Sequence, residues 1–539
     1  MPFIKKGVEA WNVAFEAAGF KNAVQARSFP TKEQDPQFDP ADVRYSIIRW
    51  VPSPIANAYG PHISDPRSGE ILNADIVMYH NILQLQRDWY FTQVGPLDPR
   101  AQTLPLPDDL MGELIAFVVT HECGHSLGFP HNMKSSSEYP FEKIRDKEWL
   151  AKMGHVATLM DYSRFNYVAQ PEDHIDPKLL IPKIGPYDMY AVQWGYAPIA
   201  GAKTPDDEKS TLDAWALKQD KEPWLRFSTP GAFGSDPGEN TEAVGDADAV
   251  AATTLGTKNL RRVADMLVKV SEKPGENDET LSHLYTATWG QWTRELNHVA
   301  VIVGGYDAQT KHGGQSGAVF TPVSKARQQQ AVKYLNGAIL QTPEWLLKPE
   351  ILSRIEPNSG SARLLNTQKS VLRNLVDRSR LGRLQEQEFA LGDKAYKLSE
   401  LLADLRSGVF TEFSSPAPKI DAHRRDLQRA YLELLNERLN QAMPAAPSSL
   451  GRNIPSPNTQ DDQRGAIRAE LKSLQAQLSA KLPTAKGATK AHLEDLKDQI
   501  TRMLDPKFAT PGAPGANPSG RTGVEDVDTC WPGVDAAYE

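Results

Sequence analysis

An apolar run, Leu114-Ile115-Ala116-Phe117-Val118-Val119, leads into His121-Glu122-Cys123-Gly124-His125-Ser126-Leu127-Gly128-Phe129-Pro130-His131. No other stretch limits the chemistry of the chain so tightly. On a helix of about 3.6 residues per turn, positions four apart share a face, so the imidazoles of His121 and His125 can reach one metal ion. Glu122 is turned away from that pair yet stays beside it. Gly128 enters a turn that other residues adopt only at a cost, and the reversal brings His131 round as a third ligand. Three nitrogen ligands and an open fourth position are the donor set of zinc-dependent hydrolysis, in which the ion lowers the pKa of water to about 7 and Glu122 is placed to take the proton.

The full HExxHxxGxxH pattern, set on a helix-forming stretch, resembles the zinc-binding signature of the metzincin clan of metallopeptidases. That resemblance implies a methionine-bearing turn below the metal, and Ala157-Thr158-Leu159-Met160-Asp161-Tyr162 matches it. Met160 resembles the Met-turn residue, whose thioether forms an apolar floor under the histidines without binding the metal. Tyr162 stands where some metzincin families carry a tyrosine that reaches the metal or the reaction intermediate, which implies a catalytic hydroxyl that stabilises an oxyanion. A packed aromatic is the other reading of Tyr162.

Further segments extend the likeness. They are Ile4-Lys5-Lys6-Gly7-Val8-Glu9-Ala10-Trp11 with Phe15 to Phe20, Asp65-Pro66-Arg67-Ser68-Gly69-Glu70-Ile71, Met160 to Tyr167, and Ile184-Gly185-Pro186-Tyr187-Asp188 through Trp194-Gly195-Tyr196. Together they resemble large bacterial zinc-dependent metalloproteases of the metzincin type, over about residues 1–200 and more faintly to about 350. The resemblance implies an α+β fold: a metzincin-like catalytic domain, with a twisted sheet, a metal-binding helix and a Met-turn lower subdomain, followed by a mainly α-helical extension. It also implies one catalytic zinc ion, a protein or peptide substrate, and a periplasmic or secreted setting. Metzincin domains normally open with a strand, whereas here a helix begins almost at Met1, and no signal peptide is visible. The expectation is therefore a fragment or an internal start, lacking a segment that relatives carry.

A length of 539 residues exceeds what one core usually holds, so two or three domains are expected. The net charge of -8 leaves no footprint for nucleic acid. No apolar run of about 18 residues is present, so no membrane span is expected. Two cysteines, Cys123 and Cys530, argue against a disulfide framework, and Cys123 reads as a small buried filler. A second ion, calcium, would have Asp65, Glu70 and Asp75 as candidate ligands, although their spacing fits no calcium loop. His155 lies near enough to Met160 in sequence to approach the site, and His174 reads as a polar loop residue.

Taken in order, Phe3 to Phe20 reads as one amphipathic helix with Ile4, Val8, Trp11 and Phe15 on its apolar stripe and Gly19 at its end. Ala23–Arg27 has weak strand character, and Val43–Trp50 and Ile71–Tyr79 read as strands on either side of a turn at Asp65–Gly69. The stretch Asn73-Ala74-Asp75-Ile76 is the candidate edge that would pair with extended substrate. Pro186–Tyr196 reads as a helix start, and Pro198–Gly238 as a connector with little regular structure. Helical stripes follow at Leu260, Val263, Leu267 and Val270, and at Leu281, Tyr285, Trp289, Trp292 and Leu296, all of them core candidates. The expected organisation is a catalytic domain over 1–200, a helical extension over 201–350, a helical region over 351–443, a linker over 444–460, a helical hairpin over 461–510 and a disordered tail over 511–539.

These readings converge on a zinc-dependent endopeptidase with His121, His125 and His131 on the metal and Glu122 as general base. Two other classes remain open from sequence. One is a zinc hydrolase of non-protein amides or esters; the other is a binding or scaffold protein with a structural or inactive metal site, its function carried by the helical C-terminal half. Oligomeric state is not legible.

Overall fold

The computed structural model describes residues 1–228, 235–240, 242, 244–357, 360–440 and 460–505; the expected linker over 444–460, except Gln460, which begins a helix, the expected tail over 511–539, and Cys530 lie outside them. The described residues are mixed α/β, largely helical with small sheets. They divide into two compact units, one of Met1–Trp292 with Ala308–Phe320, the other of Thr293–Asp307 with the chain from Thr321 on. No described helix is long and apolar enough to cross a membrane.

The first unit is organised on α4, Asp108–Ser126, preceded along the chain by α1 (Pro2–Glu9), α2 (Asn12–Ala17) and α3 (Ile82–Val94). Asp108 and Asp109 in its first turn oppose the positive end of the helix dipole. From Leu114 to Gly124 every residue is buried, which is why the apolar run lacks a polar face. The Phe3–Phe20 segment is not one helix: α1 and α2 are separated at Ala10–Trp11. The break lets Trp11 point inward, where it is fully buried, stacks on Phe129 at 5.3 Å and donates its indole N–H to the Thr120 carbonyl at 2.8 Å. The expected stripe survives the break, since Val8, Trp11 and Phe15 are buried and Ile4 packs against the same core. α1 comes so close to α4 that a Cβ on Gly7 would lie 2.7 Å from the Ala116 carbonyl oxygen.

Strands form where the backbone finds a backbone partner, and side chains take that role elsewhere. Ala23–Arg27 is not a strand, because the Asn12 amide satisfies both the N–H and the C=O of Val24. Of Val43–Trp50 only the end is strand, in β1 (Ile48–Val51); the carbonyls of Val43 and Tyr45 accept from the Asn73 side chain instead. β2 (Ala58–Tyr59) and β3 (Ile63–Ser64) follow, and the Ile71–Tyr79 segment splits into β4 (Ile71–Asn73) and β5 (Ile76–Tyr79). The split falls at Asp75, whose carboxylate accepts from the Ile47 N–H and pairs with Arg49 at 2.8 Å.

One sheet has the order β1-β5-β2, with β1 parallel and β2 antiparallel to β5; β3 and β4 form a separate ribbon. The candidate edge at Asn73–Ile76 is thus corrected in part: Asn73 ends β4, which pairs only with β3, and Ile76 opens β5. β5 is the central strand with partners on both sides, and β2 is the edge strand next to α4. Directly after β2, a Cβ on Gly60 would fall 2.2 Å from the Glu122 carbonyl oxygen.

After α5 (Lys147–Met153), α6 spans Pro186–Tyr196 as the sequence predicts. Pro198–Gly238 holds more order than expected: α7 (Pro205–Ala216) starts in a capping box between Thr204 and Asp207, so Pro and charge there mark a helix start. Residues 229–234 of that stretch lie outside the described set. α8 (Ala249–Ser271) and α9 (Glu279–Val301) bury both predicted stripes. The second unit is helical, with α10 (Lys325–Ala338), α11 (Pro349–Ile355), α12 (Ser361–Leu375), α13 (Arg378–Leu391), α14 (Leu398–Val409) and α15 (Ala422–Asn440). It ends in α16 (Gln460–Lys481) packed on α17 (Gly487–Leu504), burying Ile467, Leu471, Leu474 and Leu478 together with Leu493, Leu496 and Ile500.

Truncating Trp11 to Ala removes an aromatic that touches both α4 and the turn beyond it. We expect a loss of about 3–5 kcal/mol in the urea unfolding of the first unit. An unchanged transition would show that α1 and α2 are not part of its core.

Candidate metal centre

α4 carries His121 and His125 on one face and ends one residue later, at Ser126. Gly128, at φ +88°, lets the chain reverse while the N–H groups of Leu127, Gly128 and Phe129 close on the carbonyls of Cys123, His125 and Gly124. The reversal places His131 opposite the other two imidazoles. The three Nε2 atoms form a small triangle, 3.2 Å from His121 to His125, 3.3 Å from His121 to His131 and 3.0 Å from His125 to His131.

What this triangle can do follows from where the protons are. His121 Nδ1 lies 2.8 Å from the Leu159 carbonyl and His125 Nδ1 lies 2.9 Å from the Phe129 carbonyl. A carbonyl only accepts, so each Nδ1 carries the proton and each Nε2 presents a lone pair. Burial, and then the neighbouring histidines, hold His121 well below the usual imidazole range and push His131 down to about 3. Neutral imidazoles with converging lone pairs suit a cation. Nitrogens about 2.0–2.1 Å from a zinc ion in tetrahedral geometry lie about 3.3 Å apart, so the spacing fits. Among the described residues this is the one group of three or more His, Cys, Asp or Glu side chains that could hold a metal.

Glu122, next in the helix, is fully buried, and its backbone carbonyl is the one that meets Gly60. Cys123 is buried in the core, with its thiol pushed up to about 12 by burial, in keeping with a filler. Gly124 is required by what lies below it. A Cβ there would stand 2.2 Å from the Met160 sulfur and 2.7 Å from the Trp11 ring, so the 157–162 turn packs directly under the histidine-bearing helix. The Tyr162 ring is 4.3 Å from that of His131 and 6.2 Å from that of His121, which brings it to the site as well.

The remaining polar candidates are elsewhere. His155 is buried and pushed down to about 4 by desolvation, outside the ligand triangle. His174 is exposed, in a left-handed conformation, with its neighbour Asp173 paired to Arg145 at 2.7 Å. Asp65, Glu70 and Asp75 do not converge: Asp65 pairs with Arg67 and Asp75 with Arg49. His283 is paired with Asp88.

Residues that sequence reasoning did not single out hold the site together. The Asn132 N–H donates to the Met160 carbonyl at 2.9 Å, and Ser135 Oγ accepts from the N–H groups of Ala157 and Thr158, so the His131 segment is clasped to the 157–162 turn. Asp188, in the first turn of α6, accepts from the Thr158 hydroxyl and from the N–H groups of Leu159 and Gly185. Its sequence signal, an acid two residues after Pro186, marks a helix start and nothing more. His62 reaches the His125 carbonyl at 2.9 Å through Nδ1.

Gly124→Ala should cost about 1–3 kcal/mol through overpacking against Met160 and Trp11. Because the strain falls between α4 and the turn below it, zinc affinity should fall too. Chemical unfolding and zinc titration check both, and a stable variant that binds zinc normally would refute the packing described.

Compared with known proteins, residues 103–417 match the model of the Met-zincin family. No curated protein and no solved structure shows a significant match. The match covers more than half of the chain and includes the three histidines, Glu122 and the turn beneath them. The chain belongs to the Met-zincin family, and so to the metzincin zinc metallopeptidases.

Proposed function

We propose that the protein is a zinc-dependent endopeptidase whose metal ligands are His121, His125 and His131 and whose general base is Glu122. The observation that carries the reading is the convergence of three imidazole Nε2 atoms, with Glu122, the next residue after His121, fully buried. A structural zinc site closes all four positions with protein ligands, whereas three histidines leave one open. A zinc ion bound there would lower the pKa of water at the open position and polarise a scissile carbonyl.

The chain's own residues supply the remainder. Glu122 takes the proton of the attacking water and returns it to the leaving amine, a role its place next to His121 in α4 supports. Met160 presents an apolar floor to the histidines. The Tyr162 hydroxyl, on a ring packed against His131, is the donor for negative charge developing on the carbonyl oxygen. Edge strand β2, next to α4, offers the backbone on which an extended peptide pairs, in place of the Asn73–Ile76 stretch. Residues 1–200 would form the catalytic domain and the helical remainder its extension, in a periplasmic or secreted enzyme.

The test is cleavage of an unfolded protein by the purified chain, with and without a zinc chelator. Glu122→Ala should keep zinc and lose activity by roughly 10²–10⁴-fold. His131→Ala should lose the metal itself. Substantial turnover by Glu122→Ala would overturn its role as base. Cleavage of ester or small amide substrates alone, by a chain that holds zinc, would replace the endopeptidase by a different hydrolase.

A further inference from the structure

The peptide unit joining Leu159 to Met160 faces a metal-site histidine on one side and a carboxylate on the other. His121 Nδ1–H donates to its carbonyl at 2.8 Å, and its N–H, on Met160, donates to Thr158 Oγ1 at 2.9 Å. The Thr158 hydroxyl then donates to Asp188 Oδ1 at 2.5 Å. The other carboxylate oxygen accepts from the N–H groups of Leu159 at 2.9 Å and Gly185 at 2.8 Å. His121, Thr158, Met160 and Asp188 are all buried.

The direction of this line is forced. A carbonyl oxygen accepts, an amide N–H donates, and a hydroxyl that has accepted one bond has a single proton left to give. Every donor therefore points from the imidazole toward the carboxylate.

We propose that Asp188 is a positioning residue for the metal centre: acting through Thr158 and the Leu159–Met160 peptide, its carboxylate orients His121 and strengthens His121 Nε2 as a metal ligand. The inference rests on the reading of the three histidines as a zinc site. Metal-binding histidines give their second N–H to a carboxylate or a carbonyl, and that partner tunes the ligand. Here the carbonyl is backed by a carboxylate two hydrogen bonds further on. Hydrogen bonds in a chain polarise one another by about 10–30% per bond, and the low dielectric of a buried site preserves the effect. Burial pushes the Asp188 carboxyl up to about 6, and both of its oxygens accept hydrogen bonds, as those of a carboxylate do.

Asp188 also closes the first turn of α6. A purely structural clasp is thus the rival, and the test must separate the two. Zinc dissociation constants from chelator competition, and cobalt(II) absorption spectra, are to be measured on the full chain and on Thr158→Val, Thr158→Ser and Asp188→Asn. The temperature is one at which urea unfolding shows each metal-free form to be folded.

Thr158→Ser keeps the hydroxyl and should bind zinc as the unaltered chain does, with the same cobalt spectrum. Thr158→Val keeps the shape and cuts the line, and should weaken zinc binding about tenfold or more and shift the cobalt bands. Asp188→Asn should do the same if it folds; the two Thr158 variants decide the matter if it does not. Destabilisation of metal-free Thr158→Val with zinc affinity and cobalt spectrum unchanged would overturn the proposal in favour of the clasp. Failure of the unaltered chain to take up zinc would overturn the metal site, and this inference with it.

Discussion

Three other elements press on α4 where no side chain fits. α1 approaches it at Gly7 over Ala116, the end of β2 at Gly60 over Glu122, and the 157–162 turn at Gly124 under Met160. At each, a Cβ would come within 3.0 Å of a backbone oxygen or a packed side chain. Dense packing transmits position, since interiors leave no slack to absorb a shift. With α1, β2 and the turn pressed on three sides of α4, the imidazoles of His121 and His125 have little freedom left. His131 comes from a reversed loop, and it depends on the Asn132–Met160 and Ser135–Ala157 hydrogen bonds for the same precision.

Two buried ion pairs extend the scaffold. Lys134, three residues past His131, meets Asp236 at 2.6 Å, and Arg164, two residues past Tyr162, meets Glu242 while lying over the Trp89 ring at 4.2 Å. Charges so deeply buried gain little net stability from pairing, because desolvation offsets the attraction. Their effect is one of geometry. They fix Asp236 and Glu242 against the chain that follows His131 and Tyr162, and Gln93 joins the second pair through Glu242 at 2.5 Å.

Much of the local structure was legible in the sequence. The stripes of α8 and α9, the hairpin of α16 and α17, the start of α6 behind Pro186 and the reversal at Gly128 all appear where apolar spacing and conformational preference put them. The misread strands share one cause. Ala23–Arg27, Val43–Ile47 and Ala74–Asp75 fall within segments read as strands, yet side chains of Asn12, Asn73 and Asp75 satisfy their backbone groups or those of their neighbours. Composition reports what a segment can do, whereas pairing depends on which hydrogen-bonding group arrives first from elsewhere in the chain. The break between α1 and α2 has the same origin, in an indole that finds its acceptor on α4.

The sequence by itself determined the donor set. His121, His125 and His131 at that spacing, with Gly128 at the turn, specify a group that could hold a metal, because a helix and one reversal are local structures that need no distant partner. Only the tertiary structure decided the state of those donors. Which ring nitrogen carries the proton is settled by the Leu159 and Phe129 carbonyls, and what stands behind Leu159 is settled by Thr158 and Asp188. Asp188 lies 67 positions beyond His121, and a hydrogen bond acts on distance in space, which spacing along the chain does not record.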